Sequence, residues 1–219
     1  MWTMTSITTI GCVTLLSIVV LCIVRLRRTL PGLSTRKVIR RKTARTLVVL
    51  GSGGHTGEMM YLMRSLNRKK FRPLHIVYAS SDSMSRVRAL SEWNSSTVSF
   101  HSVPRSRSVG QSWITTPFTT AWAIVHSILL IVRIRPDTIL CNGPGTCVPI
   151  CYAAFLLRFL GLQWCDVVFV ESFCRSKSLS LSGRLLYPIA DVFVVHWKKL
   201  ATRLQSTTHP RIKYVGLLY

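Results

Sequence analysis

The chain has 219 residues, with 29 Lys and Arg against 7 Asp and Glu, a formal charge of +22. Hydrophobic residues make up 48% and charged ones only 16%, which excludes an intrinsically disordered chain and departs from ordinary soluble domains, where about a quarter of residues are charged. The basic excess calls for an anionic partner: nucleic acid, a membrane face or a phosphorylated substrate.

In chain order, Thr5 to Val24 carries no charge over 20 residues, about the length that spans a bilayer core. No basic residue precedes this run, and Arg25, Arg27 and Arg28 follow it. A cleaved signal peptide has the opposite order. The sequence therefore predicts an uncleaved anchor over residues 1–25, with the short N-terminus across the membrane and the rest of the chain in the cytosol. A linker over 26–45 follows. From Arg25 to Arg45 there are nine basic residues and no acid, a composition that is drawn to anionic lipid headgroups. The cluster adjoins a span and lacks interleaved aromatics, so membrane lipids, and no nucleic acid, are the expected partners.

Residues 46–219 read as one α/β domain. Thr46 to Leu50 is a short β-branched apolar run, as in a buried parallel strand. It enters the glycine-rich turn Gly51 to Gly57, and a helix is predicted over Glu58 to Leu66, with Glu58 as an acid in its first turn. Leu74 to Ala79 is a second strand, Met84 to Trp93 a helix and Thr97 to Val103 a third strand. Phe118 to Val132 is a long apolar helix, Thr138 to Cys141 a strand and Thr146 to Leu160 another apolar helix. Asp166 to Val170 and Asp191 to Val195 are strands, Trp197 to Gln205 a short helix and Ile212 to Val215 an extended end. Strands alternating with helices imply a parallel, Rossmann-like sheet with right-handed crossovers. The two apolar helices fit best as core helices of that sheet, with contact to the bilayer surface as the alternative. The seven cysteines form no C-x-x-C and no zinc-finger spacing, so they read as buried reduced thiols.

Ligands of parallel sheets bind outside the carboxyl ends of the strands. The turn Gly51-Ser52-Gly53-Gly54-His55-Thr56-Gly57 follows the first strand, and such a turn suits phosphate. No Lys-Ser/Thr follows the glycines, so it is no P-loop. A dinucleotide site would use Asp82, two residues beyond the second strand, for the ribose. His55, flanked by glycines, is a candidate general base. Arg105 and Arg107 follow the third strand and could hold a diphosphate. Asn142-Gly143-Pro144-Gly145-Thr146 follows the fourth, and Glu171 follows the fifth. There is no D-x-D, no H-E-x-x-H and no carboxylate cluster, so neither a catalytic metal nor a cofactor is expected. A Tyr-x-x-x-Lys pair, as a reductase would need, is absent, since the residue four beyond Tyr187 is Asp191.

A single span followed by LGSGGHTGEMM, PRSRSVGQSW, CNGPGTCVP and VESFCRSKSLSLSGRLLYPIADVFVVHW, in that order, resembles the membrane-anchor subunits of the two-subunit UDP-N-acetylglucosamine transferase of the endoplasmic reticulum. The resemblance implies the N-terminal half of a GT-B glycosyltransferase. It implies a separate catalytic subunit that binds UDP-GlcNAc, and dolichyl-pyrophosphate-GlcNAc as acceptor, to which the second GlcNAc is added on the cytosolic face. The glycine loop is also similar to that of the bacterial lipid-linked GlcNAc transferase, which lies at the acceptor diphosphate. On this reading His55 or Glu171 serves the acceptor hydroxyl. The glycine loop, Arg105, Arg107 and residues 142–146 bind the acceptor, and Val215, Gly216, Leu217, Leu218 and Tyr219 dock the partner. A pure membrane scaffold and a membrane-bound dinucleotide reductase are the alternatives.

Overall fold

The computed structural model describes residues 4–34, 42–93, 98–108, 110–143, 145–205 and 211–216. Among the described residues, seven strands form one parallel sheet: β1 (Thr46–Val49), β2 (Leu74–Ala79), β3 (Val98–Val103), β4 (Thr138–Cys141), β5 (Asp166–Val170), β6 (Val192–Val195) and β7 (Ile212–Tyr214). Their order across the sheet is β3-β2-β1-β4-β5-β6-β7. The chain builds outward one way from β1 to β3, then returns to the other side of β1 with β4, pairing Leu47 with Ile139. The strand order thus reverses between β1 and β4, the switch point at which such sheets open a crevice.

Every residue of β1 is buried, because the strand is covered on both faces. Leu47 and Val49 belong to one core and Val48 and Leu50 to the other. The second core is closed by α2 (Gly54–Arg64) and α3 (Ser83–Glu92), through Met59, Met60, Met63 and Ala89. The first is closed by α4 (Thr116–Ile134), α5 (Cys147–Leu160), α6 (Leu181–Leu186) and α7 (Lys198–Gln205). The basic residue in the apolar α5 is accounted for inside the protein. Arg158 is buried and places Nη1 2.9 and 2.7 Å from the two carboxylate oxygens of Asp191, whose Oδ2 also accepts from Val167 N. Asp191 therefore ends the loop before β6 as an ion-pair partner and is not part of the strand itself.

The helix α1 (Met4–Thr29) extends past the expected end of the apolar run. From Thr9 to Thr29 it is long and apolar enough to cross a membrane, and its apolar 18-residue stretch is not buried in the protein, although Thr29 at its end is. Its C-terminal end is tied to the domain. Leu30 packs against the α4–α5 core, and the Arg25 guanidinium lies 3.4 Å from the Leu160 carbonyl at the end of α5. A cation there complements the negative end of the helix. Gly161 takes φ +76, and a Cβ on it would meet that guanidinium.

Candidate functional site

The turn after β1 is shorter than expected. Gly53 adopts φ 60, and α2 begins at Gly54. His55, Thr56 and Gly57 therefore lie in the first helical turn, and Glu58 falls outside it, a correction to the predicted helix start. Gly51 and Thr56 are buried, whereas Ser52, Gly53, Gly54 and Gly57 are exposed. Thr56 faces inward: its hydroxyl donates to the Gly51 carbonyl and lies 2.6 Å from Ser85 Oγ. Ser85 Oγ is in turn 2.7 Å from Asp82 Oδ2, and Asp82 Oδ1 accepts from Ser85 N to cap α3. Asp82 is thus bound up in fixing the glycine turn to α3. This removes the basis for a ribose-binding acid after β2.

Where β1 and β4 lie side by side, their two turns touch. Asn142 is buried, and its side-chain Nδ2 donates to the His55 carbonyl at 3.0 Å and to Glu58 Oε2 at 3.2 Å. Gly143 has φ 60, and a Cβ there would come within 2.7 Å of the His55 ring. Only glycine combines that conformation with so close an approach. Glu58 was expected only to face the helix dipole. Instead it is nearly enclosed, accepting from Ser172 Oγ at 2.7 Å, and its Oε2 lies 3.6 Å from His55 Nδ1. That distance makes an electrostatic pair rather than a formed hydrogen bond. Burial pushes the Glu58 carboxyl up, but the His55 ring, the Ser172 hydroxyl and the Asn142 amide outweigh it and hold the group below its ordinary value.

Two cavities meet at His55. One, of about 450 Å³, is lined by His55, Glu58, Gly143, Ser172 and Arg175. The other, of about 600 Å³, is lined by Ser52, His55, Arg105, Arg107, Gly145 and Thr146. The loop after β3 is held over the second cavity. Ser106 Oγ donates to the Gly145 carbonyl at 3.0 Å, and the Thr119 hydroxyl donates to the Ser106 carbonyl at 2.6 Å. The Arg107 guanidinium stacks 4.0 Å over Trp113 and donates to the Gln111 carbonyl at 2.9 Å. Among the described residues, the buried polar atoms without a hydrogen-bond partner include His55 Nδ1, Asn142 Oδ1 and Arg107 Nε. Arg107 lines the larger cavity, where a polar ligand would satisfy it, and His55 Nδ1 faces the Glu58 carboxylate.

The structure therefore brings together Ser52, Gly54, His55, Arg105, Arg107, Asn142, Gly143, Gly145 and Thr146. Pro144 lies outside the described residues. Glu171 is placed differently. It is 1% exposed, lines neither cavity, and accepts from Ser172 N, Ser180 N and Ser180 Oγ at 3.0 to 3.2 Å. Ser180 caps the short α6, a helix the sequence reading did not contain, and a Cβ on Gly183 would strike Glu171 Oε2. At the C-terminus, Val215 N donates to the Val195 carbonyl and the buried His196 has Nδ1 2.8 Å from the Gly216 carbonyl. Leu217, Leu218 and Tyr219 lie outside the described residues.

The comparisons with known proteins give the family and the fold. The family model of oligosaccharide biosynthesis proteins like Alg14 matches residues 46–218. The chain is 43% identical over 195 residues to the mouse UDP-N-acetylglucosamine transferase subunit ALG14, covering 84% of this chain and 87% of that protein. It is 47% identical over 179 residues to the Schizosaccharomyces pombe subunit alg14, covering 78% and 82%. Among solved structures, Acinetobacter baumannii MurG aligns with a TM-score of 0.53 at 15% identity, covering 71% of this chain and 43% of MurG. A UDP-N-acetylglucosamine 2-epimerase from Listeria monocytogenes aligns with a TM-score of 0.58 at 15% identity, covering 78% and 45%. At such identities these two speak for the fold alone, a GT-B-like half, and the chain spans less than half of each.

Proposed function

This chain belongs to the family of oligosaccharide biosynthesis proteins like Alg14, whose relatives above are named as subunits of a UDP-N-acetylglucosamine transferase, and we propose that it forms the acceptor-binding half of such an enzyme. The anchor at residues 1–25 and the basic linker at 26–45 hold the domain at 46–219 on the cytosolic face of the endoplasmic reticulum membrane, with the N-terminus in the lumen. A separate subunit, docked with the help of the C-terminal Val215 to Tyr219, brings UDP-GlcNAc. The acceptor is dolichyl-pyrophosphate-GlcNAc.

The observation that carries this reading is the His55–Glu58 pair at the junction of the two cavities, beside the N-terminus of α2 and under Gly143. The diphosphate fits the larger cavity, where Arg105 and Arg107 supply charge and the first turns of α2 and α5 supply N–H groups. The acceptor hydroxyl lies at His55. As its oxygen bonds to C1 of the donor sugar, the bond from C1 to UDP breaks with inversion and the hydroxyl proton passes to His55. Glu58 keeps the ring oriented and stabilises the imidazolium that forms, the arrangement of a base held by a third group. The Glu58–His55 separation tightens when substrate fills the site.

The test is transfer from UDP-GlcNAc to a short-chain lipid-diphosphate-GlcNAc, with this chain, with the donor-binding subunit, and with both. Turnover is expected only with both. His55→Ala should lower it by about a hundredfold or more while the two subunits still co-purify. Full turnover in His55→Ala would remove the base assignment.

A further inference from the structure

α4 is apolar on two opposite faces. Its inner face, through Ala123, Ser127, Ile131 and Ile134, is buried on the sheet. Its outer face and the turn before it carry Ile114, Phe118, Trp122, Val125, Leu129 and Val132, all exposed, Ile114 by 81% and Phe118 by 76%. The spacings of 4, 4, 3, 4 and 3 residues place these side chains in one stripe along the helix. A continuous exposed apolar stripe of this kind marks an interaction surface. Because the inner face is committed to the sheet, α4 does not cross a bilayer, although its length and composition would allow it.

Two observations choose the occupant. The first is continuity with the anchor. α4 packs against α5 in the same layer that receives Leu30 and the Arg25 contact at the end of α1. The stripe is thus on the layer from which the membrane span emerges. The second is charge. From Trp93 to Pro136 there is no acidic residue, while Arg105, Arg107, Arg133 and Arg135 fall within that stretch. An apolar stripe bordered by arginines, with tryptophan among its apolar residues, is the pattern of a helix seated at the headgroup boundary of an anionic leaflet.

We propose that the outer face of α4 lies in the cytosolic surface of the bilayer, so that the domain rests on the membrane along this helix as well as hanging from α1. The cavity lined by Arg105 and Arg107 also borders Trp113, Thr116 and Thr120 at the start of α4, so it opens at the level of the headgroups. Resting there on the acceptor reading above, the arrangement lets a lipid diphosphate enter sideways while its chain stays in the bilayer.

The test uses the full chain with its donor-binding subunit in nanodiscs of phosphatidylcholine and phosphatidylserine bearing brominated acyl chains. Bromine quenches only tryptophans at the depth of the lipid. Trp122→Phe is expected to remove part of the quenched emission, and Trp197→Phe none. Emission from Trp122 that is not quenched overturns the proposal, whether water or a protein covers the face. A second variant joins Val125→Glu and Leu129→Glu, both on the exposed stripe. It is expected to slow transfer to a bilayer-embedded acceptor several-fold and to leave transfer to a water-soluble short-chain acceptor unchanged. Equal rates with both acceptors would also overturn it, whereas loss of transfer to every acceptor in His55→Ala bears only on the catalytic reading.

Discussion

Glu58 and Glu171 stand on either side of Ser172. The serine hydroxyl donates to Glu58 at 2.7 Å, and its backbone N–H donates to Glu171 at 3.1 Å. The two regions use the same side chain differently. After β5, Glu171 is closed in by Ser172 and Ser180 of the segment that leads into α6 and by Gly183 in that helix's first turn. Its oxygens are engaged in holding that segment's shape. On α2, Glu58 gathers groups from three separate places, His55 on its own helix, Asn142 after β4 and Ser172 after β5, and it borders a cavity. A carboxylate satisfied by its own segment builds a loop. One that joins several segments beside an open space is placed for chemistry.

The sharpest way to break this comparison is to remove each acid in turn. Glu171→Ala leaves two backbone N–H groups and a hydroxyl without their acceptor. Each unsatisfied group costs about 1–3 kcal/mol, so a loss of about 3 kcal/mol or more is expected. Thermal denaturation should show it as a fall of about 10 °C, at 2–4 °C per kcal/mol for a domain of this size. Turnover per folded molecule should survive. Glu58→Gln should do the reverse, keeping the shape and the hydrogen bond from Ser172 Oγ, with Asn142 Nδ2 still bound to the His55 carbonyl, while losing the charge beside His55. A loss of about a hundredfold in kcat, equal to about 2.7 kcal/mol of barrier, is expected with little change in melting temperature or KM. Equal losses of stability in both variants would erase the distinction.

Much of this architecture was legible in the sequence. The β-branched runs and the helices between them gave every strand position, because a sheet buried on both faces writes itself as short apolar stretches. The turns after β1 and β4 stood out through their glycines, and the strand order then set them side by side. The role of Glu58 was hidden by one boundary. With the helix starting at Glu58, that residue reads as a dipole complement. With the start at Gly54, His55 and Glu58 are three residues apart on one helical face. The sequence signal for that early start was present in Gly-His-Thr-Gly-Glu, but glycines argue against helix, and the contact of Thr56 with Ser85 that favours it is long-range. Glu171 stood out for a similar reason. A lone acid after a strand resembles a site residue, and what sets it apart from Glu58 is its burial against Ser180 and Gly183.

A smaller effect separates the two regions by pH. Glu58 is held below its ordinary value because His55, Ser172 and Asn142 outweigh the effect of burial. A carboxyl lowered on folding adds stability above its unfolded value and loses it as the pH falls through the folded value. As the pH falls below the ordinary glutamate value of about 4.3, then, the acid side of the stability curve carries a contribution from Glu58. His55→Ala takes away one of the groups that hold the carboxyl down, so that loss should begin at higher pH than in the parent chain. Asn142→Ala should move it in the same direction, although it also removes the amide contact to the His55 carbonyl. Thermal denaturation of the parent, His55→Ala and Glu58→Gln over that fall in pH checks the sign. Glu58→Gln should flatten the same part of the curve, because its side chain no longer titrates. An unchanged acid side in His55→Ala would mean that the 3.6 Å pair contributes nothing to holding the carboxylate ionised, and the orienting role given to Glu58 would fall with it.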